Sequence, residues 1–212
     1  MKKILFLSSL LCSVCFTYSQ TYPEPEFSNE VYYLNKANGN MLIRLEKNSS
    51  KMDQKTNMIS GSELSYSIEG VKSPVRLSSQ SNLSFVFSTG ASSGKSSVKS
   101  DSMMKANGID PSTLSGFGDM TNPSERITLY KMETGKGGRK VIYQKAPGMN
   151  PFGSHKLQSS DKYTFSAKKI RDGYWELIID KTLPKGEYTF SMSGMGMDAA
   201  SGGTILFSFG ID

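Results

Sequence analysis

Three kinds of side chain in this sequence could carry chemistry: one histidine, a set of methionines, and serines set among glycines. His155 is the sole imidazole and therefore the sole candidate for a histidine base. It stands in the run GMNPFGSHK, residues 148–156, a Gly/Pro loop in which a lone histidine is by default a solvated one. Both cysteines, Cys12 and Cys15, fall within the first fifteen residues. The remainder of the chain can therefore build neither a cysteine–histidine nucleophile pair nor a cysteine-based zinc site.

Two serine motifs resemble known catalytic loops and fail on spacing or context. Gly90-Ala91-Ser92-Ser93-Gly94 matches Gly-x-Ser-x-Gly, and Asp101, Asp110 or Asp119 followed by His155 would complete a Ser–Asp–His order. That elbow needs a strand–turn–helix in an α/β sheet, and no helix pattern follows Gly94. Gly94-Lys95-Ser96 suggests a phosphate loop, but Gly90 and Gly94 enclose three residues where that motif needs four. A flexible Ser/Gly loop accounts for both. Among the 19 acids no spacing singles out a glycosidase-like pair.

Methionine is the compositional anomaly, with 12 in the chain. Met192, Met195 and Met197 are packed into SMSGMGMD, residues 191–198, and soft thioethers at that spacing could bind Cu(I). The simpler expectation places Met192 at a strand end in the core, with Met195 and Met197 as adaptable apolar contacts on a glycine loop. No cofactor is implied. Phe117 and Phe152, on aromatic-bearing loops, join Met195 and Met197 as candidates for a ligand or partner surface. Asp101-Ser102-Met103 resembles an O-glycan acceptor triplet of some Gram-negative bacteria, which makes Ser102 the candidate acceptor.

The elements that must position these residues are strands. Period-two alternation marks Val31 to Leu34, Met41 to Glu46, Leu64 to Ile68, Val75 to Ser78 and Leu83 to Phe87. It resumes over Ile127 to Met132, Lys140 to Gln144, Tyr163 to Ala167, Tyr174 to Asp180, Glu187 to Met192 and Thr204 to Ile211. Turn signals separate them, among them Asn38-Gly39, Gly135 to Gly138 and Asp172-Gly173. The KGGRK run at Lys136 to Lys140 reads as a solvated hairpin turn. The expected fold is an all-β, antiparallel two-sheet β-sandwich of about ten short strands. One long irregular insertion, residues 89–123, interrupts it, with a short helix expected from Asp110 and Pro111.

The runs YSIEGVKSPVRL at residues 66–77 and TLYK at residues 128–131, with LPKGEY at residues 183–188 and the ending FGID, resemble patterns in uncharacterised exported β-sandwich proteins of Gram-negative bacteria. The resemblance implies the fold and brings no catalytic residues. Within it, Gly186-Glu187-Tyr188 reads as a glycine turn, an exposed acid and an inward aromatic.

Lys2 and Lys3 followed by apolar Ile4 to Phe16 read as a secretory signal, with cleavage expected after Ser19 or Gln20. The apolar run is shorter than the roughly 20 residues a transmembrane helix needs. Bulky Leu11 and Val14 precede the cysteines where a lipoprotein signal wants a small residue, so anchoring is the less favoured reading. Residues 21–212 then form one domain, expected to be secreted or periplasmic. Removing Lys2 and Lys3 lowers the net charge from +6 to about +4. The lysines are interleaved with acids and not clustered as a nucleic-acid binder requires. The expected role is non-enzymatic binding or scaffolding at the cell envelope, toward an envelope protein or glycan. A carbohydrate-active module and copper handling through the methionine loop are the alternatives.

Overall fold

The computed structural model describes residues 22–57, 61–79, 82–89, 122–148, 157–192 and 203–212. Within them the chain is all-β and forms two sheets. Pairing is antiparallel apart from a two-residue parallel contact between β6 (Arg76–Leu77) and β14 (Ile205–Ile211). Among the described residues, no helix is long and apolar enough to cross a membrane.

The smaller sheet has five strands. Its order is β11 (Phe165–Arg171), β12 (Tyr174–Ile179), β7 (Ser84–Ser88), β1 (Val31–Asn35) and β2 (Met41–Arg44). Alternate residues of the three central strands, Val31, Tyr33, Phe85, Phe87, Trp175, Leu177 and Ile179, point to one side and are fully buried. Across from them lie Ile127, Leu129, Tyr188, Phe190, Phe207, Phe209 and Ile211 of the second sheet. Phe85 is central: its ring lies 5.7 Å from Tyr33 and 5.0 Å from both Phe190 and Phe209. Aromatic pairs in such tilted and edge-on geometry add to the burial of apolar area that holds the layers together.

The second sheet runs β3 (Glu46–Ser49), β14, β13 (Gly186–Met192), β8 (Ile127–Gly135), β9 (Gly138–Ala146), β5 (Gly61–Glu69) and β4 (Lys51–Asn57). It is curled, and the two ends of this path, β3 and β4, are successive stretches of one chain separated by Ser50 alone. Buried Ser50 fixes that join. Its hydroxyl donates to the Thr204 carbonyl at 2.7 Å and accepts from the Thr204 N–H at 3.0 Å, and its own N–H donates to the same carbonyl at 2.9 Å. The inside of the curl holds a second apolar cluster of Ile68, Tyr130, Met132, Val141 and Leu206.

Two expected strands each divide in two where the chain passes between layers. Met41 to Glu46 breaks at Leu45, which buries its side chain in the main core as β2 gives way to β3. Tyr163 to Ala167 breaks at Thr164, between β10 (Lys162–Tyr163), paired with β8, and β11 of the smaller sheet. Such corners let one chain serve two packed sheets. β4 has no sequence signature because all seven of its residues are exposed. It exists through its register with β5, from Lys51 opposite Ser67 to Asn57 opposite Gly61. The expected turns form as read: Gly39 and Gly173 take φ of 64° and 69°, and Lys136-Gly137 joins β8 to β9.

The outer face of the smaller sheet is also covered. Tyr32, Leu34, Val86 and Tyr174 pack beneath Tyr22, Leu42 and Ile170. The Tyr174 hydroxyl donates to the Pro23 carbonyl at 2.6 Å, and the Phe27 N–H donates to the Tyr32 hydroxyl at 3.1 Å, so the segment from Tyr22 is strapped across that face.

Phe85→Ala should lower unfolding free energy by about 3–5 kcal/mol, the usual range for an aromatic truncated in a packed core. Met52→Ala, at an exposed position on β4, should stay within about 0.5 kcal/mol. Urea titration of both variants checks the assignment; equal losses would refute it.

Candidate functional site

A chain of alternating charges runs from inside the curl to its surface. At its inner end Arg139, whose side chain is 0% exposed, donates from Nη2 to Glu46 Oε1 at 2.8 Å. The same guanidinium reaches Glu187 Oε2 at 3.4 Å and the Gly70 carbonyl at 3.0 Å. Glu187 accepts the Ser73 N–H at 2.8 Å and pairs through its other oxygen with Arg76. Arg76 completes a fork on Asp212, with Nη2 to Oδ1 at 2.6 Å and Nε to Oδ2 at 3.3 Å. Removing such ions from water is costly, and only close pairing with bonds to the leftover donors and acceptors offsets it.

Backbone glycines make room for this chain. A Cβ on Gly210 would stand 1.7 Å from Arg76 Nη1 and 2.8 Å from Glu187 Oε1. A Cβ on Gly138 would stand 2.6 Å from the Ile68 carbonyl, across the strand pair that carries Arg139. Two expectations are corrected here. Glu187, read as an exposed acid, is 4% exposed, and Arg139, read as part of a solvated turn, is 1% exposed. Tyr188 does point inward as expected.

Two further buried carboxylates lie on the outer face of the smaller sheet. Glu176 accepts from the Tyr22 hydroxyl at 2.7 Å and the Ser84 hydroxyl at 2.9 Å and pairs with Lys36. Glu30 is held by Arg44, at 2.7 and 2.9 Å, and by Lys47 at 2.9 Å. Burial pushes Glu30, Glu46 and Glu176 toward the neutral form. Their bonds to Arg44 and Lys47, to Arg139, and to Lys36 with Tyr22 respectively outweigh it and hold all three below the usual carboxylate range.

Where the charge chain reaches the surface it lines an open cleft of about 490 Å³. Arg76, Glu187 and Asp212 share its lining with Lys72, Lys131 and Lys185. Lys131 Cε lies 3.1 Å from where a Cβ of Gly186 would be, so the absence of a side chain there lets the lysine lie along the strand start. A second surface feature is aromatic. Tyr143, 55% exposed, meets Tyr66 edge-on with centroids 6.2 Å apart.

Of the residues singled out from sequence, Met192 ends β13 and is buried in the main core, opposite Ile127. Phe117, Phe152, Met195, Met197, Ser102 and His155 lie outside the described residues, as does the expected helix at Asp110. Among the described residues the structure assembles Arg76, Arg139, Glu46 and Glu187, none of which was singled out from sequence as a site residue. One signal was available: the chain has only five arginines against twenty lysines, and arginine is the residue suited to buried carboxylate pairs.

Arg139→Met leaves the partly buried Glu46 without its cation and Glu187 with Arg76 alone, and should cost about 3–5 kcal/mol, measured by urea unfolding; a loss under about 1 kcal/mol would contradict the pairing. The depressed carboxylates also fix a pH dependence. Their folded values lie below their unfolded ones, so the unfolded chain binds more protons and the stabilisation, complete above the unfolded value of about 4.3, is lost as pH falls through the folded values. The urea midpoint should thus decline below about pH 5; a midpoint unchanged through that range would contradict the assignment.

No family model, no curated protein and no solved structure matches the chain.

Proposed function

We propose that the chain is exported and acts at the cell envelope, secreted or periplasmic, as a non-enzymatic binding or scaffolding module that engages its partner through the lysine-rimmed cleft. The supporting observation is how the carboxylates are used. Basic partners hold Glu30, Glu46 and Glu176 below the usual carboxylate range, and a general acid needs the opposite, a carboxyl held neutral near working pH. Among the described residues, the cleft charges that make no hydrogen bond or ion pair are lysines, which favour attraction of an anionic surface over proton transfer.

Tyr143 favours one second reading, recognition of a glycan. An exposed tyrosine ring backed by another aromatic offers a face on which a sugar can lie, with hydroxyl groups at its edge.

Co-sedimentation of the purified protein with the envelope fraction of its own cells separates these readings. The K72E/K131E/K185E variant should lose most of the bound fraction if the cleft is the site. Loss in Tyr143→Ala with retention in the cleft variant would replace the cleft with the glycan platform. Binding unchanged in both would overturn the cleft and the platform alike.

A further inference from the structure

We propose that the cleft is a phosphate-binding site, in which Lys72, Lys131 and Lys185 hold a phosphate group beside the Arg76, Glu187 and Asp212 pairs. This rests on the cleft being the binding surface, and it names the chemistry that surface accepts.

Charge sets the first constraint. The cleft is lined by four cationic side chains, Lys72, Arg76, Lys131 and Lys185, and two carboxylate side chains, Glu187 and Asp212, which leaves a side-chain excess of two positive charges. A phosphate monoester carries nearly two negative charges at neutral pH and matches that excess. Arg76 bonds both carboxylates, and the Glu187 side chain is only 5% exposed.

Donor geometry sets the second. The planar forks that recognise carboxylates side-on belong to Arg76 and Arg139, and both are occupied by internal carboxylates. What remains outside ion pairs is ammonium groups, compact charges with three rotatable donors each, which suit a tetrahedral oxyanion approached from several sides. Elsewhere lysines commonly face an acid: Lys51 meets Glu69, Lys140 meets Glu63, and Lys169 meets Asp172. Among the described residues, Lys72, Lys131 and Lys185 make no ion pair, and they converge on one cleft, whereas Lys55, Lys168 and Lys181 lie outside its lining.

Space is the third. Gly186 leaves the strand start open beneath Lys131, and Val71, 45% exposed, supplies an apolar shoulder beside the lysines. A phosphate carried on a lipid headgroup would find both charge and apolar contact there; free phosphate would use the charge alone.

The test is calorimetric titration of the full-length processed protein with inorganic phosphate at constant ionic strength. Alongside it runs flotation with phosphatidylcholine vesicles with and without phosphatidic acid. The K72E/K131E/K185E variant should bind inorganic phosphate at least about tenfold more weakly, or about 1.4 kcal/mol. The K55E/K168E/K181E variant has the same net charge change away from the cleft and should stay within about twofold, and thermal melts identify any variant that fails to fold. Flotation with phosphatidic acid vesicles, competed by inorganic phosphate, assigns the lipid source; phosphate binding without flotation assigns the free ion. Equal losses in the two triple variants, or no phosphate binding by the unaltered protein, overturns the proposal. Envelope association that depends on the cleft lysines but is untouched by phosphate would overturn the phosphate assignment and leave the cleft reading standing.

Discussion

A guanidinium with no exposed surface is the constraint around which the curled sheet is organised. Arg139 enters the interior as a charge, and an unpaired charge there would cost several kcal/mol. Its pairing fixes four separate parts of the chain. β3 must bring Glu46, β13 must bring Glu187, the bend after β5 must present the Gly70 carbonyl, and the loop that follows must turn the Ser73 N–H onto Glu187. Arg76 then extends the same chain of charge to the end of β14. Gly138 and Gly210 follow from this, since a side chain at Gly210 would occupy the space of the Arg76 guanidinium.

The aromatic core and the charge chain do different work. Phe85, Phe190, Phe209 and Tyr188 remove apolar area from water, and that attraction is strong but tolerant of sliding. The charge chain tolerates no sliding. Shifting β9 by one residue against β5 would turn Arg139 outward, leaving the partly buried Glu46 without its cation and Glu187 with Arg76 alone. The Ser50–Thr204 bonds act in the same sense where the curl closes, because each is made by groups that lack solvent to replace the partner.

Much of the sandwich was legible in the sequence because one face of each strand is apolar and the other polar. The last strand is the clearest case, where Ile205, Phe207, Phe209 and Ile211 alternate and the structure turns them toward one core. β4 could not be read, since a strand exposed on both faces has no alternation and owes its existence to its neighbour. Arg139 and Glu187 were misread for a related reason. Local pattern identifies a charge beside a glycine turn as solvated, and only the curl, a long-range feature joining residues 46 and 187, places both inside. The cleft lysines could not be grouped from sequence, because Lys72, Lys131 and Lys185 come from three distant stretches.

The same network that secures the fold also shapes what the surface can bind. Because Arg76 is committed inward to Glu187 and outward to Asp212, the net positive charge of the cleft resides on its lysines. Were Arg76 free, the cleft would offer a planar fork and would select carboxylates; committed as it is, the cleft selects by charge and approach direction. The step from buried pairing to surface selectivity is therefore direct: the internal demand of Glu187 for a cation removes the arginine from recognition and leaves recognition to lysine.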